Sequence, residues 1–262
     1  MKILFIGDIV GSPGREAIKN LVVPLKQELG IDFVIANAEN SSGGSGITSK
    51  VAAELFASGA DVLTSGDHIW KKPEIFELIN QEERILRPLN FPSGAPGRGA
   101  SVFKGRNGTK VGVININGRV FMEALECPFK AALKAAEELA AETKIIIVDI
   151  HAEATSEKIA LGWYLDGKVS AIFGTHTHIQ TADEKILPQG TAYITDVGMT
   201  GPYDSVIGRR VEDVLTRFLS CIPVRFQVAE GNIQLHGALV EIDEVTGKAL
   251  SILRIQKKIN HE

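Results

Sequence analysis

Short apolar runs recur along this chain, and most of them stop at a charged or imidazole side chain. Residues 2–6, 32–36, 61–64, 110–116, 144–150, 171–174 and 192–195 are rich in Val, Ile and Phe and read as strands. Between them, residues 15–29, 49–58, 73–80, 129–141 and 156–165 carry apolar residues at helical spacing, with Ser49 placed to cap the second. Alternation of this kind predicts an α/β fold whose strands deliver their C-terminal ends to a common rim. Towards the end the pattern changes. Residues 224–228 and 233–242 flank Ala229-Glu230-Gly231-Asn232 like an antiparallel hairpin, and 248–255 read as a last strand.

The polar residues at the strand ends carry the chemistry. Asp8 follows the first run, Glu39 and Asn40 the second, and Asp67 and His68 the third. His151 follows the run 144–150, and His176 and His178 follow 171–174. In open α/β sheets ligands bind outside the carboxyl ends of the strands, so these groups are candidates for one site. Only His236 and His261 lie elsewhere, in the hairpin and the tail. A lone histidine at a strand end is most often a hydrogen-bonded loop residue; the joint pattern is much harder to produce by chance. His176 and His178 are two apart, which in extended backbone turns both rings to one side and Thr175 and Thr177 to the other. Gly7 and Gly66 directly precede Asp8 and Asp67, and Gly174 lies two before His176, as close backbone approach demands.

Asp8, Glu39, Asn40, Asp67, His151, His176 and His178 supply three carboxylates, one amide and three imidazoles. That exceeds the needs of one four-coordinate ion. It suits two divalent ions about 3.5–4 Å apart that share a carboxylate. Oxygen and nitrogen donors without thiolate favour Fe, Mn or Zn.

Composition narrows the partners. A formal net charge of -4 argues against an extended nucleic-acid or anionic-membrane surface. It leaves room for a small phosphorylated substrate. Cys127 and Cys221 match no zinc spacing. The N-terminal apolar run is shorter than a signal-peptide core of about 7–15 residues, and the expected location is the cytoplasm. No linker or repeat divides residues 1–262, which reads as one domain; the Gly/Pro-rich stretch 90–100 is a surface loop. Apolar helix surface can support a homo-oligomer.

Taken in order, "GDIVG", "ENSSGG", "GDHIW", "DIHAE" and "GTHTH" resemble the motifs of the calcineurin-like metallophosphoesterases, most closely the YmdB-like branch. "NAENSSGGSGIT", "RPLNFP", "NGRVFM" and "TDVGMTGPYDSVIG" extend the resemblance over nearly the whole chain. The resemblance implies an α/β-β-α sandwich with mixed sheets, a dinuclear site at the strand C-terminal ends, and phosphodiester hydrolysis of 2',3'-cyclic nucleotides. It places Asp8, Glu39, Asn40 and His178 on one ion, with Asn40 where the wider family has a histidine and Val10 standing in that motif position. It places Glu39, Asp67, His151 and His176 on the other, with Glu39 bridging. His68 matches the proton donor beside the substrate. Asp67 departs from the pattern, which usually has Asn there.

Around this set, residues 41–44 read equally as a phosphate-binding nest or a turn. Arg209 and Arg210 read as a solvated basic pair, Trp70 as packing beneath its loop, and Asp196-Val197-Gly198 as shaping the pocket. Two other functions compete: a regulatory nucleotide-binding protein with low turnover, and a general phosphomonoesterase. A binding protein needs no proton donor, so His68 weighs against the first.

Overall fold

The computed structural model describes residues 1–105 and 107–259; His261 lies outside them. The first half holds β1 (Lys2–Ile6), β2 (Asp8–Ile9), α1 (Gly11–Leu29), β3 (Phe33–Asn37), α2 (Ser49–Ala57), β4 (Val62–Thr64), α3 (Ile75–Gln81), β5 (Ala100–Lys104) and β6 (Lys110–Asn117). Then come α4 (Pro128–Ala140), β7 (Ile146–His151), α5 (Thr155–Tyr164), β8 (Ala171–Thr175), β9 (Lys185–Ile186), β10 (Ala192–Ile194) and β11 (Met199–Pro202). The chain continues through α6 (Val211–Ser220), β12 (Ile233–Ile242) and β13 (Ala249–Lys258).

Two mixed sheets result. One runs β2-β11-β12-β1-β3-β4, with β13 on β12; the other runs β5-β6-β7-β8-β10-β9. Strand parity builds the layers, because alternate side chains leave opposite faces. Ile3 and Phe5 of β1 and Phe33 and Ile35 of β3 join Val113, Ile147, Ala171 and Phe173 of the second sheet in one buried cluster. Phe5 stacks on Phe173 across that interface, with ring centroids 4.7 Å apart. The intervening residues Leu4, Ile6, Val34 and Ala36 face the opposite way and pack with Ile18 and Val22 of α1 and Leu55 of α2. On the far side, Ile114, Val148 and Ile172 pack against Ala132, Ala136 and Leu161 of α4 and α5. The order is therefore helices, sheet, sheet, helices.

Within the first sheet β1, β3 and β4 are parallel, and within the second β6, β7 and β8 are parallel. Their C-terminal ends meet at one edge of the interface between sheets. The two-residue strand β2 departs from that edge and pairs with β11, Met199 opposite Asp8.

Three sequence expectations change. The hairpin from 224–228 to 233–242 is absent: β12 pairs with β1 and β13 along its length, and of 224–228 only Val228 forms a bridge, to Arg209. The apolar run of β1 and the ten-residue β13 offer longer ladders than a segment interrupted by Arg225. The cap of α2 is Thr48, whose side chain accepts from Val51 N–H at 3.3 Å, not Ser49. Helix α1 begins at Gly11, so Gly11-Ser12-Pro13-Gly14 is its first turn; proline is tolerated at position 13 because an N–H there would have no intrahelical partner.

Candidate metal and phosphoester site

The residues at the strand ends converge. Glu39, Asp67, His151 and His176 each offer a ligand atom, and these atoms lie within 4.8 Å of one another. His151 Nε2 is 3.1 Å from Glu39 Oε2 and 3.2 Å from Asp67 Oδ1. His176 Nδ1 lies 2.9 Å from His151 Nε2. Beside this group sit the other three predicted ligands. His178 Nε2 is 3.3 Å from Asn40 Nδ2 and 3.9 Å from Asp8 Oδ1, and Asn40 Nδ2 donates to Glu39 Oε1 at 2.8 Å. The Asn40 amide turns its oxygen to His68 Nδ1 at 2.8 Å, so ligation through that oxygen requires rotation of the amide. Glu39 stands between the groups: Oε1 faces Asn40 and His68, and Oε2 faces His151.

Each imidazole is held by the fold. His151 Nδ1 donates to Thr175 Oγ1 at 2.9 Å, and Thr175 Oγ1 donates to the buried Asp149 Oδ1 at 2.7 Å. His178 Nδ1 donates to the Ile207 carbonyl at 3.0 Å. In both rings the bond at Nδ1 leaves Nε2 turned towards the carboxylates, the nitrogen that a ligating imidazole presents to a metal ion. His176 Nε2 points instead to Glu153 Oε2, 3.2 Å away.

The paired orientation of His176 and His178 has a different cause from the one expected. The strand stops at Thr175, and both histidines have left-handed backbone, φ 92° and 65°. Asp196 imposes this turn: its Oδ2 accepts from Thr177 N–H at 3.1 Å, from the Thr177 hydroxyl at 2.6 Å and from Lys158 Nζ at 2.8 Å. Thr177 is thus drawn away from the cluster while its neighbours enter it. Gly66 has an equally direct role, since a Cβ there would collide with Glu39 Oε2 and His151 Nε2.

Electrostatics follow from burial and crowding. Burial pushes Asp8 upward, and the neighbouring His178 and His151 only partly reverse it. Burial also opposes ionisation of Glu39, but His151 and His68 together hold it well below the ordinary range. Asp67 follows the same balance and ends lowered, chiefly through its hydrogen bond with His151. His151 is raised well above its usual value because Glu39 and Asp67 outweigh its burial. His68 is raised by its hydrogen bond to Glu39. His176 is pushed down to about 4 by burial and by the charge of His151.

The cluster opens into a cavity of about 370 Å³, also lined by Val206, Ile207, Arg209, Val214, Phe218 and Phe226. This apolar part was not found from sequence, although residues 211, 214, 215 and 218 have the spacing of one helix face. Arg209 is half-buried and donates to the Gly44 carbonyl, which corrects the solvated pair; Arg210 is exposed. The Ser41 and Ser42 amides donate to Ala38 and Gly46 carbonyls, which makes the loop a turn at those positions. Trp70 packs on Phe76 and Phe91, ring centroids 5.3 and 5.6 Å away.

Known proteins resemble the chain along its length. A 2',3'-cyclic-nucleotide 2'-phosphodiesterase of Bacillus subtilis is 51% identical over 100% of this chain and 98% of its own. A solved structure described as a novel phosphatase from Mycoplasma pneumoniae superposes with a TM-score of 0.91 at 37% identity, covering 98% of this chain and 93% of that one. A hypothetical protein from Thermus thermophilus gives 0.92 at 39% identity, covering 98% and 99%. The family model described as YmdB-like protein matches residues 4–255, and the chain belongs to that family.

Proposed function

We propose that this chain is a calcineurin-like phosphodiesterase that uses two metal ions to open 2',3'-cyclic nucleotides to 3'-monophosphates. The observation that carries the reading is the convergence of Glu39, Asp67, His151 and His176 within 4.8 Å, with Glu39 and His176 lining a cavity that His68 also lines. The activity of the 51% identical Bacillus relative supplies the substrate class.

The residues fit the ions. Their donors are carboxylate, amide and imidazole, suited to iron, manganese or zinc. Asp8 is fully buried, and its Oδ1 has no hydrogen-bond partner among the described residues, as suits an acceptor kept for a cation. The proton that the carboxylates hold on His151 occupies a position a cation can take over, because a ligating imidazole must be neutral. Asp8, Glu39, Asn40 and His178 would hold one ion, and Glu39, Asp67, His151 and His176 the other, with iron or manganese preferred. When bound, the ions supply an acidified water nucleophile and neutralise charge on the phosphoryl group.

The protein's own groups do the rest. Glu39, with its two oxygens facing different residues, sets the spacing between the halves of the site. Thr175 with Asp149, and the Ile207 carbonyl, hold Nδ1 of His151 and His178, so that Nε2 is the nitrogen each ring would turn to an ion. His68, whose affinity for protons is raised beside Glu39, gives its proton to the departing 2' oxygen of the ribose. We further propose one domain over residues 1–262 and a cytoplasmic setting, which suits two unpaired cysteines.

The test is metal analysis of anaerobically purified protein beside a screen of 2',3'-cyclic, 3',5'-cyclic and monoester substrates. Two ions per chain with release of 3'-monophosphates is the expected result. Fewer than two ions and no hydrolysis refute the proposal. Faster turnover of monoesters makes the protein a phosphomonoesterase instead.

A further inference from the structure

The cavity has two kinds of wall. Glu39, Asn40, His68, His176 and His178 line one part. The side chains of Val206, Ile207, Val214, Phe218 and Phe226 carry no donor or acceptor, and Glu153, Thr177 and Arg209 complete the lining. The apolar wall is unusually open: Phe218 is 73% exposed, Ile207 47% and Phe226 38%. Contiguous exposed apolar surface around a concavity marks a binding site.

The apolar wall is also tied to the polar cluster. Ile207 has φ 45°, a left-handed conformation that a β-branched residue adopts only under constraint. In that conformation its carbonyl accepts a hydrogen bond from His178 Nδ1 while its side chain lines the cavity. Two residues on, Arg209 is anchored to Gly44, in the loop that follows Glu39 and Asn40. The distance from wall to cluster is therefore set by the fold.

We infer that this apolar wall seats the nucleobase of the substrate, with Phe218 and Phe226 as its stacking faces. The inference rests on the phosphodiesterase reading above. A cyclic nucleotide presents an anion at one end and, a ribose away, a flat aromatic face, matching the two walls. Stacking on aromatic side chains is available to every base. All four nucleotides are therefore accepted, with kcat/KM values within about tenfold of one another.

The experiment compares 2',3'-cyclic AMP with the 2',3'-cyclic phosphate of 1-O-methylribose, which keeps the reacting group and lacks the base. Wild-type protein should favour the nucleotide by about ten- to a hundredfold in kcat/KM, expressed mainly in KM. Phe218→Ala with Phe226→Ala should abolish that preference, bringing kcat/KM for the nucleotide down to the value for the abasic substrate. Equal rates on both substrates in the wild type overturn the inference and leave the phosphodiesterase reading intact. If neither substrate is hydrolysed, that reading fails, and calorimetry with 3'-AMP and ribose 3-phosphate decides the subsite. There, equal affinities overturn it; a preference for 3'-AMP that the double variant loses upholds it. Phe218→Ala alone, at a largely exposed side chain, is the control should the double variant fold poorly.

Discussion

The polar and apolar walls of the cavity are held in opposite ways. Asp8, Glu39 and His151 are at most 1% exposed, and their orientations are fixed by Thr175, Asp149 and the backbone. Phe218 and Phe226 come from α6 and the segment after it, and much of their surface is open. Groups that act on a reacting atom must be positioned before the substrate arrives, and only a buried network gives that precision. A wall that merely stacks against a flat ring tolerates looseness, because dispersion and area are not directional. Damage to the first wall should therefore appear in turnover and metal content, and damage to the second in KM.

Glu39→Gln should break this division most severely. It weakens both halves of the proposed site, and metal content and activity should fall together towards the level of chelated protein. A variant that keeps both would remove Glu39 from the centre of the site. His68→Ala comes next: turnover should fall by about 10²–10⁴-fold, the usual contribution of a positioned acid, with metal content intact. Loss of metal would make His68 a ligand. Thr175→Val cuts the chain from His151 to Asp149 while keeping the shape of the side chain. Metal affinity should weaken about 10–100-fold in a titration, with activity returning at saturating metal.

Asp67→Asn sharpens the comparison without breaking it. Three carboxylates in the proposed ligand set make a less positive site than two, which retains metal more firmly but acidifies water less. The variant should stay active with its pH optimum shifted downward; an unchanged or higher optimum would refute this electrostatic account.

The smallest effect uses a histidine outside the cavity as the reference. His236 on β12 is buried, its Nδ1 has no partner among the described residues, and burial pushes its pKa down to about 4. Between that value and the unfolded value of about 6.5 the unfolded chain binds more protons, so stability rises with pH and is lost as pH falls through this window. His236→Gln should flatten the pH dependence of the melting temperature between about pH 6.5 and 4, an effect of roughly 1–3 kcal/mol at the acid end. An equal slope in both proteins would show that His236 is not the source.

The cluster was legible in sequence because metal-type donors at strand ends are rare and their order is informative. The parallel strands were legible because fully buried strands read as continuous apolar runs. The apolar wall was not legible. Val206, Ile207, Val214, Phe218 and Phe226 look like ordinary core residues in the sequence, and no metal-type donor at a strand end marks α6. Nothing local announces that Ile207 adopts a left-handed backbone, since its φ is set by the His178 bond and by the turn that follows it. The positions of His176 and His178 were anticipated, but the two-residue alternation invoked for them belongs to extended backbone. Their true cause, Asp196, lies 18 residues further along the chain from His178.

The sequence by itself determined the strand–helix alternation, the family and the set of acids and imidazoles, because these depend on residue type and order. Only the tertiary structure decided which nitrogen each histidine presents, how Glu39 spans the two halves, and that α6 and the segment after it bring phenylalanines to the cavity. Those depend on hydrogen bonds and contacts between segments remote in sequence, which no periodicity records.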